Sequence, residues 1–360
     1  MKKRSQGPSL YFASDKNIFD ALNQRKVDSA TVTKLFEDRN IIVSPKTPRE
    51  ELARYFARLN HDFEDHQSIA ARLGVAARRE RITSMEVVGI SDADALVLAI
   101  QNIKKGREEE GDVIQITREG NNFALTFQYT TIDYGRNEFS QVQTRDGIVE
   151  LLESGSGYTI RCTQNDYVLS VRDILLASVE KAAAQPLTKT VVSLFDVPDA
   201  KLRSQFFDRL MNDLPDYKRL DVIAAYVYKP KPEGDKNLDE AEDNEPDTHV
   251  EKVTMKGVGV TRSEVFNQLL KDEQYYITKV VWTSSKVLSA GAIYEIEATF
   301  EDPKDCTGFS FILSGVFPVE GGKPTSRKRA PQSSEIDEIS RAIDAHSRHV
   351  MSVIKLEAKK

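Results

Sequence analysis

The sequence predicts an α+β protein: a small helical N-terminal module, two mixed α+β domains and a long C-terminal helix. Three observations carry this. Apolar residues recur at helical spacing through the first 60 residues and again at the end of the chain. Between these stretches the period shifts to strict alternation, as in Phe123, Leu125, Phe127 and Tyr129, which marks strands with one buried face. At 360 residues the chain is also too long for one typical core.

Residues 1–12 are expected to be disordered. Helices are then predicted over Asn17–Lys26 (Ile18, Phe19, Leu22), 29–39 (Val32, Leu35, Phe36), 48–59 (Leu52, Tyr55, Phe56, Leu59) and His66–Leu73. Ser91 is the expected cap of a helix reaching Lys105. Val113–Arg118 and Phe123–Thr130 flank Glu119-Gly120-Asn121-Asn122 as a hairpin. Strands are expected at 138–143, 158–162, Val191–Val197 and Asp221–Tyr228, with helices over 170–184 and Asp199–Asn212. Beyond residue 249 come a strand over Val250–Val260, a helix over Ser263–Lys271 and a strand over Tyr275–Thr283. Alternation at Tyr294, Ile296, Ala298 and Phe300, and again at Phe309, Phe311 and Leu313, adds two more strands. Residues 320–333 are a basic loop, and Ser334 with Asp337 starts the last helix. That helix spaces Ile336, Ile339, Ile343, His346, Val350 and Val353 as an a/d seam, which packs either on its own sheet or on a second copy through residues 334–356. Strand–helix–strand order occurs on both sides of residues 230–248, but no convincing sequence repeat accompanies it. The expected domains are 13–85, 90–229 and 249–360.

Composition narrows the function. Hydrophobic content of 40% with 29% charged residues belongs to globular proteins. No run approaches the ~20 apolar residues of a membrane span, and the basic start Met1-Lys2-Lys3-Arg4 has no apolar segment of a secretory leader behind it. Cys162 and Cys306 are too few for a disulfide framework, so a cytoplasmic protein with buried thiols is expected. The net charge of −6 is uneven: residues 1–60 hold 12 Lys and Arg against 7 Asp and Glu, whereas residues 231–248 hold 8 acids and 2 lysines. That Pro-rich acidic segment cannot repay its ordering entropy, and reads as a linker or a disordered loop. The basic N-terminal region is left as the part suited to an anionic partner.

No catalytic constellation emerges, and no cofactor or metal is expected. His61-Asp62-Phe63-Glu64-Asp65-His66 gathers ligand types, but histidines five apart do not share a helical face; an exposed helix-linking loop is expected. His346 lies on the apolar seam and suits a core histidine. A metal nuclease needs Glu-x-Lys on a strand, and the single instance, Glu357-Ala358-Lys359, sits at the C-terminus, where fraying is expected. Gly321-Gly322-Lys323 and Gly257-Val258-Gly259 lack the frame of a phosphate loop. Arg327-Lys328-Arg329 is a basic cluster suited to a flexible phosphate-reaching arm.

The informative stretch is 29–59. Two amphipathic helices flank an extended loop, Ile41-Ile42-Val43-Ser44-Pro45-Lys46, and share a core of Val32, Leu35, Phe36, Ile41 or Ile42, Leu52, Phe56 and Leu59. Thr47, Pro48 and Glu50 read as N-cap, first turn and capping box of the second helix. Leu35, Arg39, Lys46, Glu51, Leu52, Arg54 and Leu59 stand where the SAP family of helix–extended-loop–helix modules has its motif, and this stretch resembles that family. The family's usual glycine is replaced by Ser44-Pro45. The resemblance implies binding to the DNA or RNA backbone through the loop and the second helix. On the residues themselves, the expected contacts are Lys34, Arg39, Lys46, Arg49, Arg54 and Arg58, with Arg327, Lys328 and Arg329 from the distant loop.

The expectation is therefore a non-enzymatic nucleic-acid-binding adaptor with a protein partner, an accessory component of a prokaryotic DNA-processing or phage-defence (antiviral) system. A protein–protein scaffold without nucleic-acid binding is the alternative, and a nuclease-like enzyme with a site assembled from scattered residues is the second.

Overall fold

A computed structural model describes residues 13–24, 27–72, 79–90, 93–136, 138–155, 157–183, 186–230, 250–272, 274–287 and 291–359. Expectations for residues 1–12, Lys26, Leu73, Ser91 and the acidic segment fall outside this set. The mixed α+β class holds: helices and a large antiparallel sheet share the chain, which closes on a long helix.

The chain divides into two compact units that interleave in sequence. The first comprises residues 1–79, 97–119 and 123–148, the second 80–96, 120–122 and 149–360. Units therefore do not follow the consecutive stretches expected from composition. Residues on both sides of the acidic segment belong to one unit and pair as neighbouring strands, so that segment is a connection within a unit.

In the first unit, α1 (Asp15–Leu22), α2 (Ser29–Glu37), α3 (Arg49–Ala57) and α4 (Phe63–Arg72) enclose a core of Ile18, Leu22, Val32, Leu35, Phe36, Leu52, Phe56 and Ile69. The side chains of Ser14 and Asp28 cap α1 and α2. At α3 the expected cap is absent: Pro48, at ψ 143°, takes the N-cap place itself, and no side chain caps the helix. An extended ψ at Pro48 starts the helix one residue late and leaves Thr47 outside capping register. β1 (Ile82–Val88) belongs to the second unit, in which α5 (Ala93–Glu109) also begins before running into the first. The first unit then forms the expected hairpin of β2 (Val113–Glu119) and β3 (Asn122–Ile132). The strand expected at 138–143 starts instead as the one-turn helix α6 (Glu138–Gln141), because Phe139 turns onto the helical core, its ring 6.0 Å from that of His66. β4 (Val142–Ser154) follows.

The second unit is built on an antiparallel sheet. β5 (Gly157–Thr163) pairs with the end of β4 and along β1, from Ile82↔Thr163 to Val88↔Gly157. Gly157 is obligatory, since a Cβ there would lie 2.1 Å from the Val87 carbonyl oxygen. α7 (Asp166–Ala183) packs on β5. β6 (Thr188–Val191) pairs with β1 and ends earlier than expected: Leu194 donates its N–H to the Cys306 carbonyl (3.0 Å) and Val197 to Leu194, so these apolar residues are buried by a turn. α8 (Ala200–Asn212), the helix expected over Asp199–Asn212, is capped by the Asp199 side chain and precedes β7 (Tyr217–Tyr228) and β8 (Lys252–Lys256). β8 stops short of Val260 because the Asp221 carboxylate takes the Gly259 N–H at 3.0 and 3.1 Å, fixing a left-handed turn. A 3-10 turn (Val260–Arg262) and α9 (Glu264–Lys271) lead to β9 (Tyr276–Lys286), β10 (Ile293–Asp302) and β11 (Thr307–Phe317). From β1 the sheet continues through β11, β10, β9 and β7 to β8. A two-strand hairpin, β12 (Val319–Glu320) and β13 (Lys323–Pro324), precedes α10 (Ser333–Glu357). α10 starts at Gln332, whose N–H is held by Glu335, rather than at Ser334.

The order strand–helix–four strands–helix occurs twice once insertions are set aside: β1, α5, β2–β5, α7 with α6 inserted, and then β6, α8, β7, β9–β11, α10 with β8, the 3-10 turn, α9, β12 and β13 inserted. α8 and α10 bury Phe206, Phe207, Trp282, Phe300, Phe309 and Phe311 against the sheet, and the Ile339, Ile343 and Val350 seam is consumed in that core. For these seam positions the own-sheet alternative is the one observed.

Candidate nucleic-acid interface

The six cations expected to make the N-terminal interface separate into three kinds. Arg49, at the start of α3, reaches back to the end of α1: its guanidinium donates to the carbonyls of Gln24 (2.5 Å), Val27 (2.7 Å) and Asn23 (3.0 Å). It acts as a tie that satisfies carbonyls at a helix end. Arg39, just past α2, lies over the Phe56 ring at 4.7 Å, pairs with Asp65 and meets His61 Nδ1 at 2.9 Å. Both are half-buried and committed to the fold. Arg54 is exposed and pairs with Glu50 one turn earlier at 3.0 Å. Lys34, Lys46 and Arg58 are exposed, and no side chain among the described residues pairs with them. Arg54 and Arg58 also line a groove of about 270 Å³ with Asp15, Lys16 and Phe19 of α1.

The His61–His66 stretch departs from the exposed loop expected at its two histidines, while Asp62, Phe63 and Glu64 are exposed. The His61 side chain is only 5% exposed, its Nε2 lies 3.0 Å from the Phe56 carbonyl, and His66 is buried. Burial, reinforced by the Arg39 charge, holds the His61 imidazole below its ordinary pKa. Burial alone would raise the Asp65 carboxyl, but the Arg39 hydrogen bond overrides it and holds it low. The constellation ties α2 to α4, and no cluster suited to a metal occurs among the described residues.

The loop between α2 and α3 has a defined shape. Asn40 takes a left-handed φ of 58°, and the Ile41 N–H returns to the Phe36 carbonyl at 2.9 Å. The segment then runs extended, with Ile41 and Val43 packed against the helical core. Ile42, between them, is 97% exposed. Alternation in an extended chain explains the split, and it settles which of the isoleucine pair belongs to the core.

In the second unit the 327–329 segment is no flexible arm. Arg329 pairs its backbone with Val316 and its guanidinium with Glu335 at 2.6 and 2.8 Å. Lys328 meets Glu295 at 2.6 Å, its stem lying over Gly315. Arg327 is exposed and has no side-chain partner among the described residues. The Glu357 expected to fray is held by Arg209 at 3.0 and 2.9 Å.

One charged cluster was not anticipated. Arg161 of β5 is 3% exposed and holds Asp344 of α10 at 2.8 Å and Glu150 of β4 at 3.2 Å. Ser84 of β1 donates to Asp344 at 2.7 Å. The cluster ties α10 to three strands, and the partners' separation in sequence hides it. No protein-family model matches the chain, and no curated protein matches it.

Proposed function

We propose that the chain is a non-enzymatic nucleic-acid-binding adaptor whose N-terminal helix–loop–helix meets the phosphate backbone through Lys34, Lys46 and Arg58. The observation that carries this is their freedom. In a module where Arg39 and Arg49 are built into the core, these three cations stay exposed and unpaired among the described residues. The start of α3, with no side-chain cap, adds peptide N–H groups beside Lys46. Arg54 is a weaker contributor because Glu50 competes for it. Arg327, taken by itself in the second unit, is an exposed cation of the same proposed kind.

A cytoplasmic site is part of this proposal; two buried free thiols, Cys162 and Cys306, suit a reducing compartment, and no described helix is long and apolar enough to cross a membrane. A place as accessory component of a prokaryotic DNA-processing or phage-defence system, with a protein partner, belongs to it too.

Fluorescence anisotropy of the intact protein on labelled duplex, over a salt series, tests the reading. Three phosphate contacts give a slope of log K against log salt near −2.7, roughly a 40-fold loss between 50 and 200 mM. The triple variant Lys34→Glu, Lys46→Glu, Arg58→Glu should abolish most of the affinity and flatten the slope. Absence of binding by the wild-type protein at low salt would sink the proposal in favour of a protein scaffold.

A further inference from the structure

The loop that carries Lys46 also carries the most exposed large apolar side chain among the described residues, Ile42 at 97%. Its setting separates it from a stray surface isoleucine. Ile41 and Val43 are anchored in the helical core on either side, and the Asn40 turn with the Ile41–Phe36 hydrogen bond fixes where the segment begins. Ile42 is therefore held outward by its neighbours, so its ordering entropy is already spent in the free protein. From Arg39 through Arg49 the chain has no Asp or Glu, and Lys46 is the exposed cation of that segment with no side-chain partner among the described residues. The flanking Glu50 is paired with Arg54.

Resting on the phosphate-binding reading, we propose that Ile42 is a wedge that enters a duplex DNA groove and presses on a base step while Lys46 holds the adjoining phosphate. An apolar tip beside an exposed cation fits an apolar slot bordered by anions, and stacked bases between phosphates provide one. An anionic bilayer offers the same two features. However, even a single long acyl chain anchors only marginally, so one isoleucine falls far short of holding a protein there. Duplex DNA is the occupant the geometry favours.

Wedge and phosphate contact differ in salt response. Full burial of an isoleucine corresponds to about 10- to 150-fold in affinity, and apolar burial releases no counterions. Intact Ile42→Ala protein, titrated by anisotropy on a labelled duplex, should bind about tenfold more weakly at every salt concentration with an unchanged slope. Lys46→Glu should change the slope. With 2-aminopurine in the duplex, the wild-type protein should raise the fluorescence by unstacking the base, and Ile42→Ala should not. The substituted side chain is solvent-exposed, so thermal unfolding of the variant should match the wild type. Wild-type binding that Ile42→Ala leaves untouched would overturn the wedge alone. Absence of any duplex binding would remove the phosphate reading and the wedge with it. Ile42-dependent capture by phosphatidylserine vesicles in place of duplex would assign the finger to a membrane surface and overturn the wedge.

Discussion

The two buried stripes of α10 meet the same sheet on different terms. Along one, Ile339, Ile343, Val350 and Ile354 join the phenylalanine-rich core under β9–β11. Along the other, Ser340, Asp344 and Ser347 are equally buried, and Asp344 is met by Ser84 and Arg161. The apolar stripe gains stability from area removed from water and tolerates small shifts of the helix. A buried ion pair contributes little net stability over an apolar substitute, but tolerates no half-removal. One stripe thus supplies adhesion and the other fixes where along the sheet α10 sits.

The largest effect should come from breaking the polar stripe on one side. Asp344→Ala leaves Arg161 buried with Glu150 as its remaining carboxylate, and should cost about 3–5 kcal/mol in chemical denaturation. Replacing Arg161→Met, Asp344→Leu and Glu150→Gln together removes all three charges and should recover most of that loss. A triple variant as unstable as the single one would show the stripe to be more than a charge cluster. Ile343→Ala on the apolar stripe should cost about 2–4 kcal/mol, by lost transfer energy plus a cavity. Its partner residues keep their satisfied groups, so no second substitution is needed to explain the loss.

The comparison sharpens with pH. His346 sits where α10 crosses α8, its Nε2 3.2 Å from the Arg209 carbonyl. Burial holds its pKa below the ordinary 6.5, His349 acting in the same direction while the Arg209 contact and Asp213 oppose it. A base with a depressed folded pKa contributes stability that is complete above 6.5 and is lost as pH falls through the folded value. Denaturation midpoints should therefore decline below about pH 6.5, and less steeply in His346→Gln. His61 of the N-terminal module is shifted the same way, and its share should persist in that variant. Glu150 acts oppositely: burial raises its carboxyl, so its ionised form is a cost at neutral pH that is relieved as pH falls through its folded value to the unfolded one.

The same contrast explains what was legible in the sequence. The seam of α10 is visible as a 3–4 spacing because its meaning lies within one helix. Asp344 carries no such signal, since its partner Arg161 is 183 positions away. In the module, the Arg54–Glu50 pair follows from the i, i+4 rule. The roles of Arg49 and Arg39 depend on atoms 17 to 26 residues away, so both looked like free surface cations. Period and turn residues located most elements. They failed where burial came from a turn, as at Val192–Val197, or where a side chain curled the backbone, as at Phe139. Of the expected interface, Lys34, Lys46 and Arg58 are exposed and meet no side-chain partner among the described residues.

That division gives the smallest stability effect and the most selective test. Arg49→Ala strips charged donors from three carbonyls at the end of α1 and should cost about 2–3 kcal/mol, less than the sum of its bonds because water replaces some of them. Lys46→Glu alters an exposed side chain with no partner among the described residues, and should move the unfolding free energy by less than about 0.5 kcal/mol. If both arginine and lysine were phosphate contacts, duplex affinity would fall in each variant in proportion to charge. With Arg49 as a tie, its variant should lose affinity only as the module unfolds, and binding at a lower temperature should recover it. Lys46→Glu should bind weakly at every temperature at which the protein is folded.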